Sequence, residues 1–341
     1  MQRRPTSFDI AALAGVSQPT VSRALSGSPA VSEATRARVF AAAEALNYKV
    51  DKNASNLRRQ ASNTLALLFF EDPTPDDSLI NPFYLSMLGS ITRTCAQRGY
   101  DLLISFQQLS GNWHVDYEDS RKADGIILLG YGNYLEYRPR LEQLIEQGTH
   151  FVRWGAPEIG QLGPTIGSDN TQGGADATAH LILQGRRRIA FIGTATPGYP
   201  EFLARYHGYC QALADAGIAT DVALQRDAIS SEDAGQAATE ALLASNIAFD
   251  AIFAASDLIA IGAMRALAAA GRQVPRSIAV VGFDDLPAAS LASPPLTTVM
   301  QDPRRAGTVL VDTLLALIRG EDAGNTMLPV RLVTRGSSLG G

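Results

Sequence analysis

A short segment near the amino terminus limits the fold of this chain more than any other, because it holds the start and stop signals of two short helices. Thr6 can cap a first helix, and Asp9 is placed to complete a capping box with it. Gly15 ends that helix, since glycine readily adopts the left-handed conformation that a tight turn needs. Ser17 can cap a second helix, whose first turn tolerates Pro19 because amides there have no acceptor within the helix. The segment predicts two helices joined by a tight turn.

The second of these helices has two chemically different sides. One side can pack on the first helix through apolar residues, which are Ile10, Ala14, Val16, Val21 and Leu25. The other side presents short polar groups and an arginine, which are Ser17, Gln18, Thr20, Ser22 and Arg23. Such a surface suits the DNA major groove, which is lined with base edges and phosphates. An ordinary helical hairpin is the alternative, but the caps and the spacing favour a DNA-binding head.

Charge is distributed unevenly along the chain. The net charge is −5, which by itself argues against a nucleic-acid partner. Residues 1–63, however, contain nine lysines and arginines against four acidic residues, a net charge of +5 that leaves −10 for the remainder. A basic head on an acidic body confines the attraction for phosphate to one end of the molecule.

Length and composition limit the remaining possibilities. The 341 residues exceed one typical domain and can bury sizeable cores. Cys95 and Cys210 are far apart, so we expect neither a disulfide framework nor a metal cluster, and we place the protein in a reducing cytoplasm. The first residues are basic without an apolar run behind them, which argues against a signal peptide, and no stretch approaches the length of a membrane span.

A third helix and a polar segment follow the helical pair. Ser32 can cap a helix that extends to about Leu46. The next residues are polar except for Leu57, which indicates a linker or a helix that forms on binding. We therefore predict three regions, which are a head over residues 1–50, a hinge helix or linker over residues 51–62 and a core over residues 63–341.

From Thr64 onward, short apolar runs alternate with helical patterns. The predicted strands are residues 65–69, 101–105, 125–129, 151–154, 189–192, 251–253 and 278–282. The predicted helices lie near residues 84–98, 136–147, 173–183, 204–216, 235–244 and 258–270. Continuous apolar strands separated by helices indicate parallel sheets covered on both faces. The stretch is longer than one sheet needs, so we predict an α/β core of two subdomains with a ligand cleft at the carboxyl ends of the strands.

Several motifs resemble those of the LacI/GalR family of transcriptional regulators. The most specific is DIAALAGVSQPTVSRAL at residues 9–25, and the others are YKVDKNA (48–54), NPFY (81–84), DGIIL (124–128), SDN (168–170), VVGFDD (280–285) and PLTTV (295–299). The resemblance covers nearly the whole chain. It implies a three-helix head of the helix-turn-helix type, a hinge helix, and a periplasmic-binding-protein-like core with parallel sheets in both subdomains. For such a core we expect crossovers near residues 155, 287 and 322.

The resemblance also implies a homodimer that binds a palindromic operator in double-stranded DNA. The expected DNA contacts are Thr6, Ser17, Gln18, Pro19, Thr20, Ser22 and Arg23 in the head and Asn53, Leu57 and Arg58 in the hinge. Gln18 is the best candidate for sequence choice, because its amide can pair bidentately with adenine. Leu57 corresponds to the hinge leucine that wedges into the minor groove, although packing against the core is the alternative for it. The family often has proline where Val50 stands, but Asp51 can still cap the hinge helix.

In the core, the resemblance assigns a ligand-clamping arginine to Arg205 and its partner carboxylate to Asp284. Together they can hold adjacent sugar hydroxyls, with a structural ion pair as the alternative. The other expected effector contacts are Phe83, Tyr84, Arg153, Trp154, Ser256, Asp257 and Gln301. For Phe83 and Tyr84, core packing is the alternative to stacking on a sugar ring. Asp169 is expected to cap the helix that follows it rather than to touch ligand.

The sequence therefore predicts a repressor of sugar-utilisation genes that a mono- or disaccharide releases from its operator. Control by a nucleobase or a partner protein as corepressor, and sugar-dependent activation, are the alternatives. We expect no enzyme, catalytic residue, metal or cofactor, because the chain has no GxGxxG, Walker, HExxH or GxSxG motif and its four histidines lack metal-ligand spacing. A solute-binding protein would explain the core but not the head.

Overall fold

The computed structural model describes residues 5–25, 27–48, 61–72, 78, 80–108, 111–157 and 162–339. The chain divides into two units, residues 1–62 and 63–341. The predicted hinge contacts Asn53, Leu57 and Arg58 lie outside the described residues, so the hinge helix stays a prediction.

Three helices enclose the small apolar core of the first unit. They are α1 (Ser7–Ala14), α2 (Gln18–Leu25) and α3 (Glu33–Ala45). The N–H of Thr6 donates to Asp9 Oδ2 over 2.7 Å at the start of α1, and Gly15 ends that helix with a φ of 64°. Ser32 caps α3. All three helices contribute to the core, which contains Ile10, Ala14, Val21, Ala24, Val39 and Ala42. The predicted three-helix head is confirmed.

The second unit alternates strands and helices. Its first part contains β1 (Thr64–Phe69), α4 (Pro82–Arg98), β2 (Asp101–Phe106), a π-helix (His114–Asp119), β3 (Ile126–Leu129), α5 (Tyr134–Glu146), β4 (Phe151–Trp154) and β5 (Thr165–Ser168). Its middle part contains α6 (Asn170–Leu183), β6 (Ile189–Ile192), α7 (Pro200–Asp215), a 3₁₀ turn (Val222–Leu224), β7 (Gln225–Arg226), α8 (Glu232–Ala244), β8 (Ala251–Ala254), α9 (Asp257–Ala269), β9 (Ala279–Asp284), α10 (Pro287–Leu291) and β10 (Thr297–Met300). Its last part contains α11 (Pro303–Ile318), β11 (Thr326–Leu328) and β12 (Arg331–Val333). Among the described helices, none is long and apolar enough to cross a membrane.

The strands form two six-stranded sheets, each of which is the centre of one lobe. The sheet of the first lobe has the order β11-β5-β4-β3-β1-β2, and that of the second lobe has the order β12-β10-β9-β8-β6-β7. Every neighbouring pair is parallel except β10 with β12. Parallel strands of this kind are buried on both faces by helices, as the fully buried β9 illustrates. The predicted two-lobed α/β core is confirmed.

The chain crosses between the lobes later than the sequence predicted. It leaves the first lobe after β5, near residue 169, and not near 155, because β5 still pairs with β4. It returns after β10, near residue 301, and not near 287, because β10 still pairs with β9. The third crossover follows β11, near residue 329, and not near 322, because β11 adds an edge strand to the first sheet. The structure thus places the first and third crossovers one strand later than expected, and the second crossover one helix and one strand later.

The two faces of the first sheet carry different side chains, and this difference matters for the cleft. On one face, Leu67, Val152 and Trp154 pack with α4 and α11. On the opposite face, Leu68 and Phe151 pack with the aromatic residues that follow β3 and with α5. Successive residues of β4 thus alternate between the faces, as the pleat of a strand requires.

Candidate functional site

The second helix of the head presents a polar side that is separate from the head core. Val21 and Ala24 are buried, whereas the predicted DNA contacts on this helix and its cap are exposed or partly exposed, namely Ser17, Gln18, Pro19, Thr20, Ser22 and Arg23. Gln18 Nε2 donates to Ser7 Oγ over 3.3 Å, which ties the start of α2 to α1. Thr6 lies at the cap of α1, next to Ser7, which accepts the bond from Gln18. The polar side of α2 is therefore the candidate DNA surface.

A cleft of about 410 Å³ lies between the two lobes, at the carboxyl ends of their strands. Six of the predicted effector contacts line it, which are Phe83, Tyr84, Trp154, Arg205, Ser256 and Asp284. Parallel α/β sheets bind their ligands at this edge. The volume falls in the range of small-molecule sites.

Arg205 is held on the second-lobe wall by several partners. Its Nε donates to Asn170 Oδ1 over 2.9 Å, and its Nη1 donates to the carbonyl oxygen of Ala255. The guanidinium lies over the ring of Phe283, with Cζ 3.7 Å from the ring centroid. Nη1 is also 3.8 Å from Asp284 Oδ1, so the predicted arginine–aspartate pair does form. These contacts fix the guanidinium in one orientation before any ligand arrives.

Asp284 lies at the end of β9 in an unusual backbone conformation. Its φ is 121° and that of Asp285 is 56°, values that side-chain-bearing residues rarely adopt. Asp285 is anchored by Arg335, whose Nη2 donates to Oδ1 over 2.6 Å. Burial raises the pKa of Asp284 to about 6, although Arg205 and Gln301 act against that rise. Strained backbone that is held in place by neighbours is common at functional sites.

Asp257 and Gln301 lie behind the cleft instead of lining it. Gln301 Nε2 donates to Asp284 Oδ1 over 2.7 Å, so it orients the carboxylate that faces the cleft. Asp257 accepts hydrogen bonds from the N–H of Leu286 over 2.8 Å and from Thr298 Oγ1 over 2.6 Å. Both residues are buried. The structure therefore does not place these two among the direct ligand contacts that the sequence predicted.

Arg153 also does not reach the cleft. Because neighbouring residues of β4 face opposite sides of the sheet, Trp154 lines the cleft, whereas Arg153 lies on the other face, beside Tyr131, which itself lines the cleft. Its guanidinium Cζ lies 5.2 Å from the ring centroid of Tyr134 and 5.9 Å from that of Tyr131. The buried guanidinium nitrogens have no hydrogen-bond partner among the residues that the structure describes. Arg153 is therefore not among the residues that line the cleft, and its role as a ligand contact stays a prediction.

The first-lobe wall is aromatic. The rings of Phe83 and Trp154 have centroids 5.7 Å apart, and Phe83 is equally far from Tyr84. Phe70 and Tyr131 are further aromatic residues of this wall, and Tyr199 and Phe202 of the second lobe also line the cleft. Phe83 and Trp154 belong to the apolar core as well, so the packing alternative and the cleft assignment both apply to them. A cleft of this kind can receive the apolar face of a sugar ring.

Several residues that line or bridge the cleft were not predicted from the sequence. They are Phe70, Asp72, Asn81, Tyr131, Asn133, Glu136, Tyr199, Glu201, Phe202, Ile229 and Ser230. Most of them directly follow a strand or begin a helix, and this position was the available signal. Some connect the lobes: the hydroxyl of Tyr131 donates to Glu201, and Asn81 Nδ2 donates to Ser230 Oγ over 3.4 Å. Ser230 Oγ donates in turn to Ser256 Oγ over 3.0 Å.

Carboxylates outnumber cations among the described lining residues of the cleft. The acidic residues are Asp72, Glu136, Glu201 and Asp284, and the one cation is Arg205. Burial raises the pKa of Asp72 to about 6. No group of three or more histidine, cysteine or acidic residues within the described ranges could hold a metal ion. The donor and acceptor set suits hydroxyl groups better than it suits an anion.

Each of the two units matches a known protein family. The family described as Bacterial regulatory proteins, lacI family, matches residues 8–51, and the Periplasmic binding protein-like domain matches residues 178–338. The HTH-type transcriptional regulator CelR of Thermobifida fusca is 36% identical and is aligned over 97% of this chain and 96% of its own. The ribose operon repressor of Escherichia coli K12 is 32% identical over 91% of this chain and 92% of its own.

Two solved structures extend this similarity. A complex of the transcriptional regulator CelR with cellobiose has a TM-score of 0.74 and 33% identity, and the match covers 98% of this chain and all of that one. The lac repressor dimer bound to operator and the anti-inducer ONPF has a TM-score of 0.83 and 28% identity, and the match covers 99% of this chain and all of that one.

Proposed function

Because this chain belongs to the LacI family of bacterial regulatory proteins and is therefore a DNA-binding transcriptional regulator rather than an enzyme, we propose that it is a repressor that a small carbohydrate releases from DNA. The observation that carries this proposal is the arrangement of Arg205 and Asp284 opposite an aromatic wall in the cleft. A buried guanidinium and carboxylate can bind adjacent hydroxyls of a pyranose. The aromatic residues can cover its apolar face.

The comparisons support a sugar over the other effector classes. The similar CelR chain was solved as a complex with cellobiose, and another relative is a ribose operon repressor. The excess of carboxylates in the cleft also favours a ligand rich in hydroxyl donors. The proposed direct contacts are those that line the cleft, with Gln301 orienting the Asp284 carboxylate from behind.

For the DNA, we propose that a homodimer presents two heads to a palindromic operator in the cytoplasm. The lac repressor, which has a similar fold, was solved as a dimer on its operator. Residues 1–50 would form the head, 51–62 the hinge helix and 63–341 the core. Gln18 would read a base and Leu57 would wedge into the minor groove between the half-sites.

The geometry of the cleft suggests how a bound sugar releases the protein from its operator. A sugar that contacts Arg205 in the second lobe and the aromatic wall of the first lobe favours one relative position of the lobes. The hinge segments lead directly into β1 of the first lobe, so moving the first lobes of a dimer separates the hinges. Two-head avidity is lost when both heads cannot bind at once. A 100-fold decrease in operator affinity requires about 2.7 kcal/mol of coupling.

A two-step experiment tests this function. A thermal-shift screen of the full-length protein with neutral sugars, nucleosides and purines comes first, since a bound effector raises the melting temperature. An operator selected from random DNA is then titrated with the stabilising compound. We expect a sugar to stabilise the protein and to release the operator. Stabilisation by purines or nucleosides alone, or tighter operator binding with sugar, would overturn the proposal.

A further inference from the structure

A second cavity of about 340 Å³ adjoins the cleft on the side of α5. Four residues line both spaces, which are Phe70, Tyr131, Asn133 and Glu136. The second cavity alone is lined by Tyr137, Pro139, Arg140 and Gln143, all from α5. Phe70 and Asn133 are half-buried and Glu136 is exposed, so the boundary between the two spaces is open to solvent. The two cavities are neighbouring spaces, of which the cleft lies between the lobes and the second cavity lies wholly in the first lobe.

Phe70 and Tyr131 are the aromatic residues that line both spaces, and the turn after β3 makes room for the Phe70 ring. A Cβ at Gly132 would lie 2.6 Å from Phe70 Cζ, and one at Gly130 would lie 3.0 Å from Phe70 Cβ. Both glycines also have left-handed φ values, 81° at Gly130 and 62° at Gly132. Glycine at these positions therefore lets the ring lie close against the turn. A ring placed in this way can contact a ligand that extends from one space into the other.

The polar side chains of the second cavity match the chemistry of hydroxyl groups. Asn133 Nδ2 donates to Glu136 Oε1 over 2.9 Å, and Arg140 Nη1 donates to Gln143 Oε1 over 3.0 Å. Arg140 is further fixed over the ring of Trp113, with Cζ 5.3 Å from the centroid. Amide, carboxylate and guanidinium groups that are already oriented can donate to and accept from several hydroxyls at low entropic cost.

Charge excludes one class of extended ligand. Taken together, the described lining of both spaces contains Asp72, Glu136, Glu201 and Asp284 but two arginines, Arg140 and Arg205. Arg140 is already bonded to the carbonyl oxygen of Gly111 over 2.8 Å, which reduces its attraction for a ligand anion. A phosphorylated or carboxylated sugar would meet net negative charge along the groove.

We propose that the α5 cavity is a second sugar subsite, and that the effector is an uncharged disaccharide or longer glycoside whose first unit lies in the cleft. The inference rests on the proposed function, since it assigns the first unit to the wall formed by Arg205 and Asp284. The second sugar unit of the effector lies against Phe70, Asn133 and Gln143. With this subsite, the protein distinguishes sugars by their length, because a disaccharide makes contacts that a monosaccharide cannot make.

A matched pair of variants tests the subsite. Gln143 lines only the α5 cavity, so Gln143→Trp fills that space and leaves the cleft unchanged. Glu142→Trp places the same bulky group on the neighbouring residue of α5, which lines neither space, and serves as the control. Calorimetric titrations of the full-length proteins use glucose, cellobiose, maltose and lactose as ligands, and glucose 6-phosphate tests the charge.

We expect at least one disaccharide to bind the wild type about 10-fold more tightly than glucose. Gln143→Trp should lower the affinity for that disaccharide about 10-fold and leave the affinity for glucose within about twofold of the wild type. Glu142→Trp should change neither affinity. Glucose 6-phosphate should bind more weakly than glucose. The subsite proposal is wrong if a monosaccharide binds as tightly as every disaccharide, or if Gln143→Trp lowers the affinities for glucose and the disaccharide equally. In both cases the proposal that the effector is a sugar is unaffected. If no sugar of either size binds, the proposed function itself fails.

Discussion

The hydroxyl of Tyr131 in the first lobe donates a hydrogen bond to the carboxylate of Glu201 in the second lobe. The same carboxylate oxygen accepts the N–H of Ala156 over 3.0 Å. Nearby, the N–H of Tyr134 donates to the carbonyl oxygen of Gly198 over 2.8 Å. These bonds run from one lobe to the other beside the cleft, so Glu201 helps to hold the lobes in the arrangement described here.

Tyr131→Phe is expected to weaken effector binding about 10-fold, because the closed lobes lose a hydrogen bond to a charged acceptor. Operator affinity without effector should stay within about twofold of the wild type, since Tyr131 belongs to the unit 63–341 and the predicted DNA-reading helix belongs to the separate unit 1–62. The measurement is an effector titration with operator present. A double-mutant cycle with Glu201→Gln separates the bond from direct ligand contact. Strictly additive effects would show that the two residues do not act through their mutual bond.

Asp284→Asn should give a protein that binds its operator normally and responds poorly to effector. The side chain keeps its shape and its bond to Gln301 can be replaced, but the sugar loses a charged acceptor, which reduces affinity about 10- to 100-fold. Asp176→Asn, a change at a half-buried residue of α6 that does not line the cleft, is the control. Operator release by the Asp284 variant at the wild-type effector concentration would contradict the assigned site.

Effector affinity should fall as the pH is lowered through 6. Burial raises the pKa of Asp284 to about 6, so the carboxylate that accepts sugar hydroxyls becomes protonated below that value. The same raised pKa means that this group stabilises the fold as the pH falls from about 6 toward its unfolded value, so the loss of binding is not caused by its own unfolding. Calorimetry at pH 7.5 and pH 5 should show about 10-fold weaker binding at the lower pH.

The Asp284→Asn variant also serves as the control for pH, because it has no proton to gain at this position. Its residual affinity should vary less between the two pH values than that of the wild type. Asp72 also lines the cleft, and burial raises its pKa to about 6. A pH dependence that is unchanged in Asp284→Asn and absent in Asp72→Asn would assign the effect to Asp72.

Gln18→Ala should broaden the base preference at one position of each half-site. A bidentate amide–adenine pair contributes about 1–3 kcal/mol of discrimination, so the variant should accept other bases there with a smaller loss than the wild type shows. Binding to a panel of single-base operator variants measures this. Ser22→Ala on the same helix is the comparison. A loss that is uniform across all sequences would instead indicate that Gln18 matters through its bond to Ser7 in the free head.

The sequence predicted the fold well where apolar pattern and burial coincide. The strand predicted at 151–154 is β4, and the one predicted at 189–192 is β6. β5 was missed because Thr165–Ser168 contains a glycine and two hydroxyl residues, and it is buried because it pairs on both sides. Such pairing depends on residues far away in the chain, which a local pattern does not contain.

The site was predicted in part for the same reason. The family resemblance assigned Arg205 and Asp284 to one site, and the structure does bring the two side chains together in the cleft. Asp169 does cap α6 by accepting from the Gln172 N–H, as expected. Strand alternation could have placed Arg153 and Trp154 on opposite faces of the sheet, but it does not decide which of them meets a ligand, since residues from both faces line the cleft. Glu201 was not predictable in this way, since its role arises from the meeting of two lobes. The contact with Tyr131 spans 70 positions of the chain.

The late crossovers have a consequence for the order in which the protein is made. β11 pairs with β5 and β12 pairs with β10, so each sheet lacks an edge strand until residues 326–333 leave the ribosome. The first lobe also lacks α11, which packs against α4 through Ser90 Oγ and the carbonyl oxygen of Pro303. The head, by contrast, is complete within the first 62 residues. A nascent chain therefore carries a finished head long before its core can respond to a ligand, and an interrupted chain exposes unpaired strand edges in both lobes.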